Sequence, residues 1–124
     1  MQKIFILSGS LLAALAVIMG AFGAHSLKAH LSNEMLDVYK TAVDYHIYHA
    51  LGLILVGLLP NSTSPSSLLA WAGSSMLMGI LLFSGSLYIL SITGIRWLGA
   101  IAPFGGTAFI LGWILLASAV WSQG

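Results

Sequence analysis

The side chains here that could do chemistry are mostly imidazoles: His25, His30, His46 and His49, beside three carboxylates, four Lys or Arg residues and no cysteine. The stretch HIYH sets His46 and His49 at i and i+3, neighbours on one face of a helix. A helical hairpin would bring His25 towards them, and three imidazoles are enough to hold zinc, copper or haem iron. A plainer chemistry competes. Amphipathic rings gather where a membrane meets water and hydrogen-bond there, locking a hairpin without any ligand. His25, Tyr45, His46 and His49 are therefore expected as a polar interface cluster, with no metal or other cofactor assigned to it. Without cysteine there is no thiolate metal site, thiol nucleophile or disulfide.

A second locus is APFGG, residues 102–106. Pro103 cannot donate to the carbonyl of Gly99, and Gly105 with Gly106 loosens the backbone, so a kink or unwound turn is expected there. Carbonyls freed in a membrane need donors, which side chains, water or a passing cation would supply. A kink that merely fits the helix around its neighbours accounts for the same residues. GAFGAH, residues 20–25, has the glycine content of a phosphate loop, but it follows an apolar helix and lacks the Lys-Ser/Thr ending. Ala16, Gly20 and Ala24, Ser75 and Gly79, and Ala108 and Gly112 form small-residue ladders that let helix backbones approach closely.

What positions these residues is a membrane path. The chain is 59% hydrophobic and 6% charged, against roughly 45–50% and about 25% in soluble domains. Crossing a hydrocarbon core of roughly 30 Å takes about 20 apolar helical residues. Four segments qualify: 4–24, 42–59, 68–92 and 97–121, none with Lys, Arg or Glu in its body. A lipid-facing backbone must satisfy its own hydrogen bonds, and these runs lack the alternation of barrel strands, so they are assigned as helices. The first run also has the outline of a secretory signal, with Lys3 ahead of it and AFG before Ala24. It is longer than the usual apolar core of about 7–15 residues, and is expected to remain as a span.

The connections differ. PNSTSPSS, residues 60–67, reads as a polar turn, and TGIRW is short enough to force an antiparallel hairpin. In the first connection, Ser32 or Asn33 before Glu34 marks a helix start, and no proline follows until Pro60. One helix over 34–59, about 39 Å long, would stand some two turns clear of the membrane. On it Glu34, Asp37, Lys40, Thr41, Asp44 and Tyr48 share one solvated face, while Met35, Val38, Tyr39, Ala42, His46 and His49 share the other. The expected fold is an all-α integral membrane protein of one domain, 1–124: an antiparallel four-transmembrane-helix bundle whose second helix is extended by an amphipathic interfacial portion. Lys28, Lys40 and Arg96 fall on one side and Lys3 on the other, so the positive-inside rule sets both termini on the outer side. Four scattered cations make no nucleic-acid stripe. The expected partners are the lipid bilayer and either further copies of the chain or another membrane protein.

GAFGAH ending a first span, YKTAVDYHIYHALGL opening a second, FSGSLY in a third and GIRWLGAIAPFGGTAFILGW in a fourth carry a resemblance. In that order, over essentially the whole chain, they resemble the small four-helix membrane family known as domain of unknown function 423, with animal relatives called transmembrane protein 256. The resemblance implies a bacterial inner-membrane protein, or an organelle membrane protein in eukaryotes, without an established activity. His25 and His49 match the family pattern, whereas position 46 often holds glutamine there. An amide is a poor substitute ligand, which weakens an HxxH metal pair. No catalytic motif transfers.

Three functions are in play. A structural or accessory protein, not an enzyme, suits the ladders and the lack of an assembled nucleophile and base. A small permeation unit would need several copies to form a pore. A metal or haem module would rest on the histidines.

Overall fold

Two local signals, a serine cap and a left-handed glycine, bound the helices at the interfacial end. The first helix, α1 (Gln2–His25), runs into a short 3-10 turn, Leu27–Ala29, whose exit is held by His30 Nδ1–H on the Ser26 carbonyl at 2.8 Å. Ser32 then opens α2 (Asn33–Leu58), its Oγ accepting from the Met35 N–H at 3.2 Å. In this computed structural model, which describes residues 2–60 and 66–122, most of the expected polar turn at 60–67 lies outside the described residues. The third span joins α3 (Ser66–Gly79) to α4 (Gly85–Thr93) through a π-turn at Ile80–Ser84, where the Gly85 N–H reaches the Ile80 carbonyl. Gly94 ends it at φ 73°, a left-handed conformation that favours glycine, with its N–H on the Leu90 carbonyl at 2.8 Å. The fourth span starts as a 3-10 helix, Arg96–Ala100, and continues as α5 (Ala102–Trp121). Four of these rods are long and apolar enough to cross a membrane, and no strand occurs among the described residues. The protein is an all-helical membrane bundle.

The break in the fourth span falls ahead of the residues expected to cause it. The 3-10 helix hands over to α5 at Ile101, and Pro103 sits in the first turn of α5. There its missing N–H has no intrahelical carbonyl to lose. Gly105 and Gly106 are ordinary helical positions with different surroundings. A Cβ on Gly105 would lie 2.3 Å from the Phe83 backbone nitrogen, whereas one on Gly106 would meet only the Phe83 ring edge at 3.8 Å. The glycine pair is thus a contact on one side and open space on the other.

Close backbone contact also joins α1 to α2. A Cβ on Gly9 would fall 2.7 Å from the Ala50 carbonyl oxygen, and one on Gly57 2.8 Å from the Gln2 carbonyl oxygen. The Gln2 side-chain amide donates to the Leu59 carbonyl at the same end. The buried small residues of α1 are Gly9, Ala16 and Gly23, two turns apart, while Gly20 is half-buried and Ala24 exposed. The ladder expected at Ala16, Gly20 and Ala24 is therefore replaced by one at seven-residue spacing, which keeps a single stripe of α1 buried. Between the two hairpins lie Phe5, Leu53, Val56, Met76 and Phe109. Leu53, Ala72 and Met76 have no exposed surface, so the middle of the bundle is filled.

Gly105→Ala should lower stability by about 1–3 kcal/mol, because α5 or the third span must move apart. Gly106→Ala should be neutral or raise stability by up to about 1 kcal/mol through helix propensity. Thermal unfolding in detergent distinguishes the two. Equal effects would show that α5 does not press on Phe83.

Candidate functional site

The buried face of α2 carries Tyr39, Ala42, His46 and His49 at successive three- and four-residue steps. Each meets a different neighbour. The Tyr39 hydroxyl donates to the Met19 carbonyl of α1 at 2.5 Å. The Ala42 carbonyl accepts from Ser84 Oγ, at the end of the π-turn, at 2.8 Å. His46 Nδ1 pairs with the Tyr88 hydroxyl of α4 at 2.8 Å. His49 Nε2 accepts from the indole N–H of Trp113 on α5 at 2.9 Å.

An indole nitrogen can only donate, so His49 Nε2 must be unprotonated. The proton is then on Nδ1, which donates to the Tyr45 carbonyl at 2.7 Å. His49 is thereby a neutral imidazole with both nitrogens occupied, and its ring stacks on Phe109 with centroids 3.5 Å apart. No lone pair is left for a metal. His46 differs: its Nε2 has no hydrogen-bond partner among the described residues, and the Leu12 backbone of α1 is the polar group that approaches it. The bond to Tyr88 is the side-chain hydrogen bond that holds His46.

The four residues expected to cluster are divided. Gly23 packs on the Tyr39 ring and Gly9 on Ala50, so the antiparallel register leaves His25 beyond Tyr39, exposed at the interfacial end. His46 and His49 lie roughly 10–15 Å further along α2 at about 1.5 Å per residue. The two then turn to different spans. Tyr45 alone stays with His49, ring centroids 6.1 Å apart, and also packs against Phe83 at 4.8 Å. Among the described residues no three of His, Cys, Asp and Glu come together as a metal-ligand set.

Tyr88, Trp113, Phe109 and Ser84 complete this network and were not singled out from the sequence. A mid-span tyrosine or tryptophan carries a donor that hydrocarbon cannot satisfy, which is the signal that marks Tyr88 and Trp113. Beside the network, Tyr45, His49, Phe83, Phe109 and Trp113 border a groove of about 520 Å³ between α2 and α5, with Pro103 at its interfacial end.

The sequence profile of the family described as "Protein of unknown function (DUF423)" matches residues 19–106. The chain belongs to the DUF423 family. A relative is the "UPF0382 membrane protein YwdK" of Bacillus subtilis (strain 168), 51% identical over 95% of this chain and 96% of its own. Another is the "UPF0382 membrane protein SH2409" of Staphylococcus haemolyticus (strain JCSC1435), 48% identical over 93% of each chain. No solved structure matches. The matched DUF423 segment contains Tyr39, His46, His49, Ser84 and Tyr88 but ends before Trp113, which the alignment to the full-length relatives can reach.

Trp113→Phe should cost about 1–3 kcal/mol by leaving His49 Nε2 buried without a donor. Adding His49→Phe should recover part of that loss, and nitrogen-15 NMR of the wild type should show His49 protonated at Nδ1. An Nε2–H tautomer would refute the assignment.

Proposed function

We propose that this protein is a structural or accessory component of the bacterial inner membrane, packing with itself or with another membrane protein and catalysing no reaction. One observation carries the reading: the polar side chains of α2 that enter the bundle are spent on joining helices. Tyr39 and His49 each hold a hydrogen bond to another span, as does the Ala42 carbonyl. None is paired as nucleophile and base beside an open, polar cavity.

The outer surfaces suit partners. Within its span α1 buries only Phe5, Gly9, Ala16 and Gly23, leaving Leu11, Val17 and Ile18 facing outward. Relatives named as bacterial membrane proteins, together with helical rather than strand-built spans, support the inner membrane. Lys28, Lys40 and Arg96 lie at one end of the bundle, opposite Lys3, which supports termini on the outer side.

The chain has no cysteine, so single cysteines report cleanly. An impermeant maleimide should label Ser122→Cys in intact cells and Lys28→Cys only after lysis; the reverse pattern would invert the topology. A photo-crosslinking residue at position 11 in native membranes should yield one discrete adduct, with a second copy or a defined neighbour. A chain that stays uncrosslinked and purifies as a monomer would remove the accessory reading.

A further inference from the structure

We propose that the groove between α2 and α5 binds one phospholipid, whose acyl chain lies along it and whose ester carbonyl accepts a hydrogen bond from the Tyr45 hydroxyl. The groove holds about 520 Å³, within the usual span of roughly 300–1,000 Å³ for ligand sites. Its rim residues Thr107, Ile110 and Trp113 are exposed, so it opens sideways into hydrocarbon. Three features choose the occupant.

Gly106 is the first. Glycine inside a helix is unfavourable relative to alanine, and here neither backbone nor packing requires it. Its φ is ordinary, and an added Cβ would meet nothing of this chain closer than 3.8 Å. A side chain there would project into the groove, so the residue keeps open a space that the protein itself does not fill. Length is the second. From Pro103 to Trp113 the groove follows α5 for about 15 Å at about 1.5 Å per residue. That is half of a hydrocarbon core of roughly 30 Å, the depth of a single leaflet. Third is Tyr45, which follows Asp44, the last charged residue before α2 enters the bundle. Its hydroxyl has no hydrogen-bond partner among the described residues, although the ring packs against Phe83 and His49. A phenol held at that depth meets lipid ester carbonyls, which accept hydrogen bonds. The walls below it are aromatic and apolar, as a chain rather than a headgroup needs.

The test uses the full-length protein purified in mild detergent as wild type, Gly106→Leu and Tyr45→Phe, with retained lipid counted by native mass spectrometry. The wild type should keep one phospholipid per chain, Gly106→Leu should lose it, and Tyr45→Phe, which preserves the ring, should retain it about fivefold more weakly. A second readout keeps Trp113 as the sole tryptophan by changing Trp71, Trp97 and Trp121 to Phe. In phosphatidylglycerol and phosphatidylethanolamine vesicles with brominated acyl chains, its quenching should fall when Gly106→Leu is added. Should the leucine variant not fold, the Tyr45→Phe comparison decides alone. Equal lipid content and equal quenching in all variants would overturn the proposal. So would retention of an isoprenoid quinone, or a second protein chain, in the phospholipid's place.

Discussion

Hydrocarbon has no water to offer a polar atom, so a hydroxyl, imidazole or indole buried between helices is costly unless another part of the chain bonds it. In this bundle α2 makes most of these bonds. It bonds α1 through Tyr39, the third span through Ala42 and His46, and α5 through His49. Such bonds in membranes average about 0.6 kcal/mol and reach about 1.7 kcal/mol. Four of them add a few kcal/mol, too little to assemble four helices alone. Their larger effect is on register: sliding α1 or α5 by one turn would break the bond through Tyr39 or His49, and sliding the third span would break two.

Attraction between the rods comes from close packing, and the glycines set where it occurs. Hydrogen bonds and glycine contacts select the same arrangement. Gly52 illustrates the coupling: a Cβ there would lie 2.8 Å from Met76 Sδ and 3.3 Å from the Trp113 ring. The space it leaves is what lets the indole come up to His49. Gly105 acts likewise on the opposite side, letting α5 touch the Phe83 backbone and so bringing Phe109 over the His49 ring. The polar network needs these bare positions because its bonds are short and its helices are rigid.

The number of spans, the extension of α2 beyond the membrane and the division of α2 into a wet and a dry face could all be read from residue order. Those features follow from periodicity along a single helix. A helix start at Ser32 or Asn33, which the structure resolves to Ser32, and the apolar side of Tyr39, Ala42, His46 and His49 are local features of the same kind. What lies opposite a face is a different matter. His25 was expected beside His46 because hairpins bring helix ends together, but register is set by Gly23 against Tyr39 and Gly9 against Ala50, contacts that composition does not reveal. Likewise Pro103 signals a break without saying on which side of it the helix resumes. That depends on the 3-10 segment Arg96–Ala100, whose start follows the left-handed Gly94.

The π-turn links the structural lock to the outer groove. One extra residue between α3 and α4 turns the following side chains relative to a regular helix. Ser84 then meets the Ala42 carbonyl inside the bundle, while Phe83 points the other way, 4.8 Å from the Tyr45 ring and 5.6 Å from Phe109. Adjacent residues thus serve two surfaces, one sealing the interior and one forming a groove wall. A third-span helix without the wide turn would rotate both, so the interior bond and the shape of the groove cannot be varied independently. The same holds across the contact on α5, where Gly105 is pressed against Phe83 and Gly106, one residue on, faces open space. A sealed bundle requires glycine at the first of the pair. Its neighbour is left free to serve whatever occupies the lipid side.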